Sequence, residues 1–386
     1  MQLTEVKTAK DRRDFLELPT SIYKGDDLWI RPLDKDIESV FDREQNKFFR
    51  NGNAVRWLLK DDSAKVVGRV AAFFNEKTSR KEDQPTGGMG FFECIHDQQA
   101  ANILFDVSKS WLKQHGMEAM DGPVNFGERD RWWGLITEGF TSPVYGMNYN
   151  PPYYQQLFEN YGFKTYFNQF CYSLDVKERA NEKFYERYEK FAGDPDYTAH
   201  HIEKNKLEKF AGDFAAVYNK AWAAHSGSKQ MSAEQALSLF RKMKPILDED
   251  LAWFVYYRNE PIAFWFNLPD INPIVKRLNG KFDVLSKLKF LWLQKQQVTK
   301  KMIGLVFGIA PEFQGKGIDG YLIISGAKVI QPSGKYDTME MQWIGDFNPK
   351  MINIAESLGT TRTRVLKTYR LLFDPEKEFK RYPIIH

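Results

Sequence analysis

One order of elements is written twice along these 386 residues. In the first pass, Val55 to Lys60 (VRWLLK) and Val66 to Phe74 (VVGRVAAFF) are β-prone runs flanking Asp61, Asp62 and Ser63, the spacing of a strand-turn-strand hairpin. A strand over Gly90 to Ile95 follows, then helical spacing over Gln99 to His115 and again over Tyr153 to Gly162. In the second pass, Leu251 to Tyr257 (LAWFVYY) and Pro261 to Leu268 (PIAFWFNL) flank Arg258, Asn259 and Glu260. A strand over Ile303 to Ile309, a helix over Gly317 to Ile330, a strand over Thr338 to Trp343 and a helix over Pro349 to Gly359 complete the same order. Repetition on this scale predicts an internal duplication. Residues 1–178 and 197–386 are expected as two domains joined by a linker over 179–196, where RANEKFYERYEKFAGDPD is charged and closes on Gly193, Asp194 and Pro195.

The second copy carries the chemistry-bearing feature. Its apolar strand runs into Ala310-Pro311 and a glycine turn, and apolar spacing resumes at Ile318, Tyr321 and Leu322. Backbone N–H groups of Gly315 to Asp319 are therefore expected unpaired at a helix N-terminus, where the helix dipole adds positive potential suited to a pyrophosphate. A P-loop is excluded, because G-x-x-x-x-G-K-[ST] meets Ala310 at its first glycine and Gly317 at its hydroxyl position. The first copy has His96-Asp97-Gln98-Gln99-Ala100-Ala101 at the matching place, without glycine and with an acid, so it is not expected to hold such an anion.

The string IAPEFQGKGI, residues 309–318, resembles the V-x-P-E-[FY]-[QR]-G-x-G-[IL] signature of the GNAT superfamily, and the duplicated order resembles that superfamily's fold. The whole chain is similar to a bacterial group with tandem GNAT domains that carries patterns like YNPPYY…GF (Tyr149 to Phe163) and Glu340, Trp343 and Asn348. The resemblance implies an α/β (α+β) architecture of two tandem GNAT-like domains, each a mixed, largely antiparallel sheet flanked by helices. It further implies that Gln314, Gly315, Lys316, Gly317, Ile318 and Asp319 hold the pyrophosphate of acetyl-CoA or another acyl-CoA. Asp319 departs from the usual Gly or Ala. Phe307, Gly308 and Ile309 would pair with the pantetheine arm and donate an N–H to the thioester oxygen, and Asn348 would touch the same arm, although Asn before Pro349 is equally an N-cap.

The implied activity is acyl transfer, acetyl or longer, from thioester to a small-molecule amine. A long-chain transferase using an acyl-carrier protein, and a non-catalytic acyl-CoA sensor, stay open beside it. The family's usual tyrosine acid falls at Ala355, and its first-copy counterpart at Phe158, so Tyr369 or Tyr321 is expected to replace it. Glu340 is the expected base. It shares a strand face with Gln342 while Met339, Met341 and Trp343 share the other, and a carboxylate amid apolar residues has a raised pKa. An ion-paired strand carboxylate is the competing reading.

Composition narrows the rest. With 55 basic against 51 acidic residues the net charge of +4 does not mark a nucleic-acid partner. Cys94 and Cys171 are the only cysteines and His200 and His201 are sequential, so neither a disulfide framework nor a metal site is expected, which fits a reducing cytoplasm. No signal peptide or membrane span is expected. His225 is a candidate helix cap or acceptor-loop residue. The aromatics Trp132, Trp133, Tyr145, Tyr149, Tyr153 and Tyr154 suggest a wall of an acceptor pocket or interdomain packing. Ile274 to Lys301 carries eight basic residues against Asp283 alone, with Leu285, Leu288, Leu291 and Trp292 at helical spacing. That insert is read as a clamp for a coenzyme phosphate, a dock for a carrier protein, a contact with anionic membrane, or a solvated helix over the core.

Overall fold

The computed structural model describes residues 1–80, 84–222 and 230–385. The first half runs β1 (Gln2–Glu5), α1 (Ala9–Ile22), α2 (Asp34–Phe41), β2 (Gly52–Lys60), β3 (Val66–Asn75), α3 (Glu76–Ser79), β4 (Thr86–Cys94), α4 (Gln98–Gln114), β5 (Ala119–Gly122), β6 (Leu135–Glu138), α5 (Tyr154–Tyr161) and β7 (Lys164–Asp175). The second half runs α6 (Glu182–Ala192), β8 (Tyr197–His201), α7 (Leu207–Trp222), α8 (Ala233–Met243), β9 (Ala252–Tyr257) and β10 (Glu260–Pro269). It continues through α9 (Asn272–Leu278), α10 (Val284–Lys295), β11 (Lys301–Ile309), α11 (Ile318–Ser333), β12 (Thr338–Gly345), α12 (Pro349–Ser357) and β13 (Thr361–Leu372). Both hairpins and the second half's strand-helix-strand order expected from the sequence are present, while β5 and β6, between α4 and α5 of the first half, are not among the expected elements.

All strands join one mixed sheet in the order β1-β2-β3-β4-β5-β13-β7-β12-β11-β10-β9-β8, with β6 also on β13. The order reveals an exchange. Strand β7 closes the first half in sequence yet pairs with β12 of the second, from Thr338↔Asp175 to Gly345↔Gln169. Strand β13 closes the second half yet pairs with β5 of the first, from Tyr369↔Gly122 to Leu372↔Ala119. The two exchanged strands then pair with each other across the centre. A division at 178 and 197 thus separates the chain's repeats but cuts through both halves of the sheet.

The stretch 179–196, expected as a linker, contains helix α6. Phe184, Tyr188 and Phe191 form its apolar stripe, and they pack on Tyr321, Ile323 and Ile324 of α11. Helix α11 is apolar around most of its circumference because the sheet covers one side and α6 the other. Gly320 is where the two helices meet: a Cβ there would lie 2.4 Å from Cβ of Arg187 and 2.9 Å from the carbonyl of Phe184. Only glycine admits so close an approach.

Candidate functional site

Strands β11 and β12 pair in parallel from Lys301↔Thr338 to Gly304↔Met341 and no further. Both strands are irregular on their opposite edges there, the β12–β7 pairing stepping from Met341↔Tyr172 to Ile344↔Phe170. The pairing of β11 with β10 steps from Asn267↔Gly304 to Phe266↔Val306, leaving Leu305 as an extra residue, and such a bulge bends its strand. Beyond it β11 leans away from β12. The N–H of Ala310 donates to Ile262 on β10 at 2.8 Å, so by alternation Phe307 and Ile309 turn their N–H groups toward the opening. Gly308 points the other way, to β10.

The strand ends in the glycine turn. Gln314 donates its side-chain amide to the carbonyl of Ile309 at 3.0 Å, tying the turn to the strand. Gly315 (φ +72°) and Gly317 (φ +98°) adopt the left-handed conformation, and nothing lies within 4 Å of a side chain built on Gly315. Among the described residues, no acceptor is paired with the N–H groups of Gly315 to Asp319, the first one available inside the helix being Gly317, which takes Gly320 and Tyr321. Asp319 does not confront an anion alone. Arg187 of α6 is ion-paired with it and lies alongside Gly317, so the carboxylate is neutralised from α6, the stretch whose charge pattern resembles a linker.

Next to the opening lies a cavity of about 720 Å³, by far the larger of the two described. Phe307, Met341 and Asn348 line it near the splayed strands, and it continues past the last β11–β12 pair to Met302, Met339 and Leu174. Its walls are mostly apolar, with Arg129, Asp175, Glu178 and Arg179 among the residues that line it. Arg129 reaches it from the first half, exposed, with its guanidinium 5.5 Å from the ring of Trp133 and 5.6 Å from that of Tyr382. Asn348 caps α12 by accepting from the N–H of Met351 at 3.2 Å, and it also lines the cavity.

The two residues expected to move protons sit elsewhere. Glu340 is 3% exposed, and its oxygens are both engaged, Oε1 by Arg364 and Oε2 by Lys301, each at 2.7 Å. Arg364 is itself buried and donates further to Thr141 Oγ1 at 2.7 Å and the carbonyl of Ser142 at 3.1 Å, both from the first half. Asp270 belongs to the same cluster: it accepts from the N–H groups of Tyr145 and Asn272 at 3.0 and 3.1 Å, and burial pushes its carboxyl up to about 6. Glu340 is thus an ion-paired strand carboxylate on the sheet face turned away from the cavity. Tyr369, expected as an acid, is buried in the first-half core, donates to Glu159 at 2.8 Å, and is absent from the cavity lining. Tyr321 lies under α6, its hydroxyl 3.4 Å from the carbonyl of Tyr197. His225 lies outside the described residues.

The first half keeps the same frame and fills it. Strands β4 and β5 pair only from Thr86↔Ala119 to Gly88↔Asp121 before parting. There the N–H of Val124 donates to Met89 at 2.8 Å, and the hydroxyls of Tyr154 and Tyr153 occupy the N–H and carbonyl of Cys94, each at 2.8 Å. Asp97 caps α4 by accepting from Ala100 at 2.9 Å, on the ground that an anion would need. None of Trp132, Trp133, Tyr145, Tyr149, Tyr153 and Tyr154 lines the large cavity, and Trp132, Tyr145, Tyr149 and Tyr154 line the smaller one of about 90 Å³.

No family model matches the chain. It is 25% identical over 378 residues to the bacterial ceramide synthase of Caulobacter vibrioides, covering 96% of each chain. To protein YghO of Escherichia coli it is 24% identical over 372 residues, covering 94% of this chain and 92% of that one. Among solved structures it superposes on a tandem GNAT protein from the clavulanic acid biosynthesis pathway with a TM-score of 0.57 at 9% identity, covering 97% of this chain and 99% of the other. A GCN5-related N-acetyltransferase from Sphaerobacter thermophilus matches at a TM-score of 0.51 and 10% identity over 98% of both. With its twice-written order and two splayed parallel pairs, the chain is a tandem GNAT-fold protein.

Proposed function

We propose that the second half is an N-acyltransferase that takes a long acyl group from a coenzyme A thioester and delivers it to an amine. The observation that carries this reading is the joining of two features in one place: unpaired N–H groups at a glycine turn, and an apolar cavity continuing past the strand opening. The turn suits the pyrophosphate. Lys316 supplies a cation beside it, Arg187 offsets the charge of Asp319, and the pantetheine arm would run along β11. At the opening, Phe307 or Ile309 would donate an N–H to the thioester oxygen as it becomes an oxyanion. The amine attacks the carbonyl carbon, the C–S bond breaks, the thiolate departs, and the amine's proton passes to water.

Met302, Met339 and Leu174 support an acyl tail longer than acetyl, since a two-carbon group needs no apolar space beyond the opening. The similarity to a ceramide synthase points the same way, a ceramide being the amide of a long-chain acid with a long-chain amino alcohol. The first half, with its opening plugged by Tyr153 and Tyr154, is proposed to bind no coenzyme and to support the second through the exchanged strands. A sensor that binds acyl-CoA without turnover is the second reading, favoured by the engagement of both Glu340 and Tyr369 in other contacts.

The test is product formation. Purified protein given acyl-CoA of rising chain length and a panel of amines, long-chain amino alcohols included, should yield amides by mass spectrometry, with Met339→Trp shifting preference to shorter chains. Thioester binding with no amide from any amine would favour the sensor, and a preference unmoved by Met339→Trp would remove the cavity as the acyl pocket.

A further inference from the structure

Helix α10 is apolar on two opposite sides. Phe290 and Leu293 face inward and pack with Ile30, Leu33 and Leu278. Val284, Leu285, Leu288, Leu291 and Trp292 face outward and stand 56–77% exposed. At ~100° per residue these five fall within one arc of about 120°, with Lys287 on one margin and Lys289 on the other. A solvated helix over the core would present the reverse pattern.

The charge around this face is one-sided. Of the eight basic residues between Ile274 and Lys301, only Lys301 is ion-paired among the described residues, and the single acid, Asp283, is used as the N-cap, accepting from Ser286 at 2.8 Å. Apolar side chains ringed by lysines whose stems can lie along them, with a tryptophan among them, suit the boundary between lipid headgroups and acyl chains. No described helix is long and apolar enough to cross a membrane, so attachment through α10 would be peripheral. The α9–α10 segment joins the end of β10 at Pro269 to the start of β11 at Lys301, the end of β11 remote from the glycine turn.

We propose that α10 docks the protein on an anionic membrane surface, the Val284-to-Trp292 face entering the headgroup boundary and Arg277, Lys281, Lys287 and Lys295 meeting lipid charge. The experiment is flotation of the full chain with phosphatidylcholine vesicles, with and without phosphatidylglycerol, beside a Leu285→Ser, Leu288→Ser, Trp292→Ser triple variant whose melting curve is recorded in parallel. The wild type should float with the phosphatidylglycerol vesicles and be released by salt, and the variant's binding should fall by about tenfold or more with unchanged melting, because the altered side chains are exposed. Failure of the wild type to bind these vesicles would overturn the proposal, as would variant binding equal to wild type. A wild-type dimer that the triple substitution dissociates would also overturn it, by showing that a second copy covers the face.

Discussion

Glu340 lies between two cations, Arg364 and Lys301, and the chemistry of that cluster follows from burial. Replacing it by Gln would leave the Arg364 guanidinium, among the most buried side chains of the molecule, without its counter-charge, and breaking a buried pair in this way costs roughly 3–5 kcal/mol. Denaturant unfolding of Glu340→Gln should show a loss of that order. Native stability with turnover lowered ~100-fold would instead return Glu340 to the role of base. Asp270 offers a second test. Its folded carboxyl titrates at about 6, above the ordinary 3.8, so the folded state holds the proton more tightly than the unfolded one. Stability from this group is therefore present below pH 3.8 and lost as pH rises through about 6, where the charge meets a buried site faced by Lys301 and by Glu340. Asn keeps the two N–H acceptor contacts without the charge. Asp270→Asn should raise the melting temperature at neutral pH, by an equivalent of up to ~3 kcal/mol, and flatten the pH dependence between 3.8 and 6. An unchanged slope would show that another group carries it.

Helices α6 and α11 decide how the glycine turn works. Arg187→Ala would leave the Asp319 carboxylate unopposed at the helix start, and coenzyme A affinity by calorimetry should fall about tenfold or more. Asp319→Ala in that background should restore most of it; no recovery would mean that Arg187 acts on the coenzyme and not through Asp319. The elements that form this site were largely readable in sequence because period-2 and helical spacing are local properties: both hairpins, the strand into the turn, and the helices after it stand where the pattern placed them. What went unread was decided by tertiary contact. The Phe184, Tyr188 and Phe191 stripe marks α6 as a packed helix, yet its charge density resembles that of a linker. Leu285, Leu288, Leu291 and Trp292 have core spacing, and only the fold shows them on the outside. Glu340 alternates correctly along its strand, but its two partners lie 39 and 24 residues away on other strands, beyond any local signal.

At the scale of the whole molecule, the exchange of β7 and β13 makes the halves interdependent. Fragments 1–178 and 179–386 expressed apart should each lack a closing strand and fail to fold cooperatively, while mixing them during refolding should recover a complex with the parent's circular dichroism and melting. Two fragments that melt cooperatively on their own would contradict that interdependence. The exchange also explains how a half with a plugged opening serves the other: β7 flanks β12 at the cavity, and Thr141 and Ser142 hold Arg364 behind it. The glycine turn and the cavity are proposed to bind one ligand, a coenzyme A thioester with a long acyl tail. Calorimetric titration with free coenzyme A, acetyl-CoA and a series of longer acyl-CoA thioesters, beside a Gly315→Trp variant that fills the open space over the turn, tests it most directly. One site is expected, lost in the variant, with affinity rising as each buried methylene adds up to ~0.8 kcal/mol, about fourfold, until the cavity is full. Affinity independent of chain length, or retained in a folded Gly315→Trp protein, would contradict it.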